Sequence, residues 1–432
     1  MFLTRVRKIT LKVNVPLPIP TTLGLKKSFG FGDRLGLAGP GHLASALKSD
    51  FAGIFAQQSI RELDRTARTP DEVMRAAQSA IAAIDYSQPW GADADHLKTD
   101  DDVRLTADAG YTFFTIDPSA FVANEADTMA LDALASEVAG QESDSVYGGE
   151  SVEALYLDKD IEISENFRFK FDREHLLRAA VKYGRAIHHV QEMSSHIAAS
   201  CQARLYEIEV SVDETDTPTS SLEHLFFALE LKRRGIVVVS LAPRFIGDFE
   251  KGIDYKGDLN DFERSLEEHI AIARAYGPYK LSMHSGSDKF SAYPVIGRVC
   301  QDLLHVKTAG TSYLEALRVV CRKDPDLFKE IACYSAGRFS EDKATYHLST
   351  TDEDIGNLGG DATIDLEKTY LEENIGRQLL HVTFGSVLTA GKRESGQSFK
   401  SAIDEILRNN EALHLEVLET HFDKHLSLLN AG

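Results

Sequence analysis

The stretch "LYEIEVSVDE", residues 205–214, decides the fold. Ile208, Val210 and Val212 alternate with Glu207, Glu209, Ser211 and Asp213, which predicts a strand over 205–212 with one apolar and one ionisable face. Helical periodicity flanks it, over 174–200 and 222–234. The same unit recurs outward in both directions. Short apolar strands are predicted at 34–38, 53–58, 89–95, 111–117, 236–242, 280–285 and 304–309, with further helices at 70–84, 260–276 and 294–302. Strands that alternate with helices pair in parallel, and about eight such units predict an α/β protein built as a (β/α)8 TIM-type barrel. A doubly wound open sheet is the rival. However, "GFGDRLG" (30–36) is not a GxGxxG turn after a strand, and neither a Walker loop nor a GxSxG elbow occurs.

Residues 1–318 are assigned to the barrel, interrupted after strand four by a long acidic, partly helical insertion at 121–173. Residues 319–432 are assigned to a helical C-terminal extension that closes with the amphipathic "NNEALHLEVLETHFDKHLSLL" (409–429). A net charge of −20 repels phosphate backbones and argues against nucleic acid as a partner. An anionic small substrate would then need a local basic pocket. Segment 1–15 alternates polar and apolar residues without the apolar run of a signal peptide, and no stretch nears the roughly 18 apolar residues of a membrane span. Cys201, Cys300, Cys321 and Cys333 are scattered, without CxxC, and are expected as reduced core thiols of a cytoplasmic protein.

Carboxylates on a lumen-facing strand cost several kcal/mol unless paired, protonated or bound to a metal. Ion pairs with lumen Lys or Arg are one resolution, and a cation is the other. "PWGADADHLKT" (89–99) sets Asp93 and Asp95 on one face with His96 next, so Asp95 and His96 can share a site only if the strand ends between them. After strand six, "RFIGDFEKGIDYKGD" (244–258) carries Asp248, Glu250 and Asp254, and strand seven delivers His284. Chemistry in this fold gathers at the C-terminal face, where His96, Glu209, Glu250 and His284 fall. Two imidazoles with carboxylates suit a first-row divalent cation: Mn, Ni, Co or Zn. The loops "HSGSDK" (284–289) and "KTAGTSYLEALR" (307–318) bring Ser285, Asp288 and Thr308 to helix starts whose N–H groups can hold an anion. Arg244, Lys289 and Lys307 would form the basic pocket. His175, His224 and His269 are expected on helix surfaces, His305 at the barrel bottom, and His381 in a structural role.

Six segments, "KSFGFGDRLGLAGPGH" (27–42), "WGADADH" (90–96), "YEIEVSVDETDTPT" (206–219), "SLAPRFIGDFEKGIDY" (240–255), "KLSMHSGSDKFSAYP" (280–294) and "HVKTAGTSYLEALR" (305–318), together resemble the bacterial tagaturonate epimerase family. The likeness continues more weakly through "LLHVTFGSVLT" (379–389). It implies a metal-dependent isomerase that interconverts D-tagaturonate and D-fructuronate. It also implies Asp95 as proton acceptor, Glu209 as proton donor, and His96, Glu250 and His284 as metal ligands, with Asp248 the alternative to Glu250. The inverted carbon, C3 of a 5-ketouronate, lies one bond beyond the acidic α position, so simple enolisation cannot reach it. A retro-aldol route can: the C3 hydroxyl loses its proton, C3–C4 breaks with Lewis-acid help from the metal, and the aldehyde turns before the bond reforms. The same half-reaction leaves a class II-type sugar aldolase, or an aldolase-associated barrel subunit, as an alternative. A non-catalytic sugar-acid-binding barrel is a second. The substrate is expected to be a ketouronate or a neutral ketohexose, and the extension leaves a homo-oligomer open.

Overall fold

A computed structural model of the chain describes residues 17–165, 167–358 and 365–431. The alternating segment 1–15 lies outside the described residues. The strands are β1 (Ser28–Phe31), β2 (Ala52–Ser59), β3 (Gly91–Leu97), β4 (Phe113–Ile116), β5 (Asp160–Glu162), β6 (Arg168–Lys170), β7 (Glu207–Val212), β8 (Ser240–Pro243), β9 (Lys280–Met283) and β10 (Leu304–Thr308). Eight of them close a parallel barrel in the order β1-β10-β9-β8-β7-β4-β3-β2, while β5 and β6 form an antiparallel hairpin outside it. The predicted (β/α)8 barrel is present.

The first strand is displaced from its predicted place. Residues 34–38 wrap around Asp33, whose carboxylate accepts the backbone N–H groups of Leu35, Gly36 and Ala38 at 3.0, 2.7 and 2.8 Å. Gly36 turns there at φ +76°. "SFGF" supplies β1 instead, with Ser28 opposite His305 on one side and Ala52 on the other. Helices then start on side-chain caps: Thr69, Thr99 and Ser220 each complete a capping box for Pro70–Ile84, Asp100–Asp108 and Ser221–Arg233. Ile208, Val210 and Val212 join the barrel core, each burial contributing roughly 1.5–3 kcal/mol.

Between β4 and the 29-residue helix Arg173–Cys201 stand the helices Leu131–Ser143 and Val152–Tyr156 and the β5–β6 hairpin. Beyond β10 a second core forms around Leu317, Phe328, Leu379, Phe384 and Ile403. The last helix, Glu411–Asn430, returns to the barrel and places Leu418, Phe422, Leu426 and Leu429 in the first core. The 318/319 division runs through the continuous helix Thr311–Lys323. Among the described residues no helix is long and apolar enough to cross a membrane.

Three side-chain expectations need correction. His224 and His269 are fully buried, because the helices that carry them pack on each other: their Nδ1 atoms are 2.9 Å apart and His224 Nε2 lies 2.8 Å from the Tyr279 hydroxyl. Cys333 is exposed, whereas Cys201, Cys300 and Cys321 are buried; all four are free thiols. His305 does sit at the barrel bottom, where its Nδ1 is 3.0 Å from the Ser28 hydroxyl.

Candidate functional site

A break in one ladder builds the site. The β3–β4 register slips between Ala94 and Leu97, and His96 takes a left-handed φ of +55°. That conformation is costly for a residue with a Cβ. The slip lets Asp95 and His96 serve the same side without the strand ending between them, since an inserted residue cancels the period-two alternation. Asp117, just past β4, then fixes the ring: its Oδ2 is 3.2 Å from His96 Nδ1, while its Oδ1 accepts the Ser119 N–H at 2.9 Å. His96 Nε2 is left 3.9 Å from Asp95 Oδ1. Across the barrel mouth, His284 follows β9 and its ring centre is 5.1 Å from that of His96. His284 Nε2 meets Glu209 Oε1 at 2.7 Å, and its Nδ1 is 3.4 Å from Asp213 Oδ1. One ligand atom each from Asp95, His96 and His284 lie within 4.8 Å of one another.

Below them stands Lys307. Its ammonium is 2.8 Å from Asp93 Oδ2, 2.8 Å from Asp95 Oδ1 and 2.8 Å from Glu209 Oε1, and it donates to Thr115 Oγ1 at 2.6 Å. Lumen ion pairing therefore coexists with the imidazole grouping. Burial pushes the Asp93 carboxyl up to about 7, against the opposing charge of Lys307. Burial acts the same way on Asp95 and Glu209, but Lys307 and the neighbouring imidazoles, His284 foremost for Glu209 and His96 with His284 for Asp95, together outweigh it and hold both below the usual carboxylate range. For His284, burial favours the neutral ring, yet the carboxylates of Asp213 and Glu209 together carry it up to about 10. Asp93, Asp95 and Glu209 thus share the Lys307 ammonium, while Asp117 faces His96 and Lys98 and Asp213 faces His284. Glu209 Oε2, fully buried, has no hydrogen-bond partner. Two imidazoles and a carboxylate, with Asp117 buttressing one ring, form a donor set that fits a first-row divalent cation.

The other expected residues lie as follows. Glu250 is not brought into the imidazole grouping. Its carboxylate takes Lys256 Nζ at 3.0 Å, the Ser349 N–H at 2.7 Å and Gln378 Nε2 at 2.7 Å. Asp248 pairs its backbone with Lys256 on the wall of the cleft. Lys289, buried, donates to the carbonyls of Glu250, Ile253 and Ser287 at 2.9, 2.6 and 2.9 Å. Thr308 Oγ1 donates to the Gly30 carbonyl at 2.7 Å. The Arg244 guanidinium donates to the Thr215 carbonyl on the cleft wall. Asp288 Oδ2 lies 3.0 Å from Arg377 Nη2 as an ion pair, and Oδ1 lies 3.2 Å from His421 Nε2, while its backbone N–H donates to His425 Nε2 at 3.1 Å. Asp288, His421 and His425 are a second metal-type grouping, but the Arg377 guanidinium already supplies its positive charge.

A cleft of about 610 Å³ leads down to these residues, and a recess of about 50 Å³ lined by Asp95, His96 and Lys307 lies beneath it. Arg61, Lys251, His284, Ser285 and Tyr346 line both, forming a throat between them. The sequence reading did not single out Asp117, Arg61, Lys251 or Tyr346. Only Asp117 carried a signal, as an acid at a barrel strand's C-terminal end.

Comparison with known proteins points to one family. A family model described as tagaturonate epimerase matches residues 4–429. The tagaturonate/fructuronate epimerase of Thermotoga maritima is 42% identical over 410 residues, which cover 95% of this chain and 82% of that protein. The native structure of fructuronate-tagaturonate epimerase UxaE from Cohnella laeviribosi superimposes with a TM-score of 0.88 at 38% identity, covering 95% of this chain and 83% of that one. Its form with one glycerol gives the same TM-score, identity and coverage.

Proposed function

The chain belongs to the tagaturonate epimerase family, and we propose that its barrel mouth interconverts D-tagaturonate and D-fructuronate by inverting C3 of the 5-ketouronate. His96, His284 and Asp95 would hold a divalent cation, which as a Lewis acid polarises the ketone end of the substrate. The remaining work falls to side chains.

Lys307 keeps Asp95 and Glu209 ionised, so both can take protons. Asp95 turns Oδ1 toward Lys307 and His96; Oδ2, which accepts a long 3.4 Å bond from Gln57, is the oxygen that removes the C3 hydroxyl proton. Loss of that proton lets the electrons of the C3–C4 bond pass to the ketone-bearing fragment, leaving C3 as an aldehyde. The aldehyde turns, C3–C4 reforms on its other face, and the C3 alkoxide takes a proton through Glu209, which starts ionised and receives that proton from Asp93, pushed up to about 7, by way of the Thr115 hydroxyl. The proton held by Asp95 then restores Asp93 through Lys307, which touches both. A buried path can resupply Glu209: the Thr115 hydroxyl lies 3.0 Å from Asp93 Oδ1 and 3.3 Å from Glu209 Oε1. The residues shared by cleft and recess, Tyr346 among them, would limit water and retain the aldehyde between the two halves of the reaction.

The observation that carries this reading is the convergence of Asp95, His96 and His284 at the cleft floor, with Glu209 bonded to His284. Elemental analysis together with fructuronate formation from tagaturonate tests it. His284→Ala is expected to lose both the cation and turnover; retention of both would refute the site. Accumulating three-carbon products would favour the aldolase reading instead. Solvent deuterium appearing at C3 would replace bond cleavage with direct deprotonation.

A further inference from the structure

Among the described residues, the cleft contains one cation that the protein leaves for a ligand. Lys307 is committed to carboxylates, Lys289 to three carbonyls and Arg244 to a carbonyl. Arg61 pairs with Glu214 at 2.7 Å. Lys251 differs. Its ammonium donates to the Ser285 hydroxyl, and among the described residues it has no carboxylate within 4.0 Å. It lines both the cleft and the recess, beside His284. Its backbone is clamped on both sides: Gln378 holds the Glu250 carboxylate at 2.7 Å, and Arg377 Nε donates to the Gly252 carbonyl at 2.6 Å. A fixed main chain thus presents a charged tip at the throat.

We propose that Lys251 receives the carboxylate of the sugar acid and so sets the preference for a ketouronate over a neutral ketohexose, an inference that rests on the function proposed above. The chemistry gives that position a purpose. When C3–C4 breaks, the fragment that must turn is the aldehyde bearing C1, and C1 is the carboxylate. An ion pair at C1 leaves C2 and C3 free to swing while holding the fragment in the site. The Ser285 hydroxyl, next to His284, gives way to or shares the incoming carboxylate.

Calorimetry on the full chain loaded with Mn2+ tests this with two probes that do not turn over: the aldonate made by reducing the substrate's ketone, and the matching neutral hexitol. The wild type is expected to bind the aldonate more tightly. Lys251→Met should weaken the aldonate roughly ten- to a hundredfold, the worth of one charge-assisted hydrogen bond, and leave the hexitol unchanged. Lys251→Arg, which keeps the charge, should retain most of the preference and serves as the control for folding. Equal weakening of both probes by Lys251→Met, or an unchanged aldonate affinity, would overturn the proposal. A wild type that discriminates the probes through Lys251 yet does not epimerise tagaturonate would overturn the function while supporting this residue's role.

Discussion

Replacing Lys307 with Met removes one positive charge from the middle of Asp93, Asp95 and Glu209, all within 2.8 Å of it and all buried. The folded variant can recover neutrality by holding one proton more than the wild type. Protonating a carboxyl whose ordinary pKa is near 4 costs about 1.4 kcal/mol for each pH unit above that value. The substitution should therefore cost about 4 kcal/mol at pH 7 but about 1.4 kcal/mol at pH 5. The sign follows from the wild type: Asp95 and Glu209 are depressed, so their stabilisation is present above the ordinary carboxylate pKa and fades as pH falls toward their lower folded values. The gap between the two proteins must widen as pH rises. Urea unfolding in the presence of a chelator, followed by the fluorescence of the single tryptophan, buried Trp90 beneath β3, would measure it. A loss that is equal at pH 5 and pH 7, or smaller than about 1 kcal/mol at pH 7, would refute the charge argument.

Asp117→Asn should weaken cation binding by about 10- to 100-fold in a Mn2+ titration, because an amide can donate to His96 Nδ1 and so favour the tautomer whose Nε2 carries a proton. Unchanged affinity would mean that Asp117 does not orient the ring. Gly310→Ala would drive a Cβ into His381 Cε1, inside buried surroundings, and should cost about 1–3 kcal/mol in urea unfolding. A neutral result would show that His381 yields freely. Burial lowers His42 and His269 to about 4, and His305 and His425 to about 3. Their stabilisation is complete above pH 6.5 and lost as pH falls from there toward those values, so thermal unfolding of the cation-loaded protein should shift lower between pH 7.5 and pH 5. A midpoint that stays level or rises would contradict the neutral burial of these rings.

The barrel was legible because alternation such as that of 205–212 is dictated by the pleat, and because carboxylates on a buried face demand an explanation wherever they occur. The first strand was not, since the turn around Asp33 uses local hydrogen bonds that apolar content does not reveal. His96 and His284 could be placed on one rim, but the slip in β3 that admits both Asp95 and His96 depends on pairing with β4. Lysines were the least readable. Lys289 follows a strand and Lys307 stands near the end of one, as an anion pocket would require, yet the first is spent on carbonyls and the second on the lumen carboxylates. Lys251, hidden between an acid and a glycine, was visible only once the segments after β10 had closed over it. Glu250 reads as a ligand by its neighbourhood and serves as a tie to Gln378 and Ser349 because those partners arrive from far along the chain.

On the ribosome, ring closure becomes possible once Thr308 has emerged, since β10 is the neighbour of β1. Asp288, however, would meet no counter-ion until Arg377 and then the helix carrying His421 followed. Until those segments arrive, Asp288 also lacks the side chains that cover it, so water meets its charge and the loop carrying His284 stays unbraced. Prematurely terminated products should be cleared by cellular proteases rather than persist as half-working enzyme.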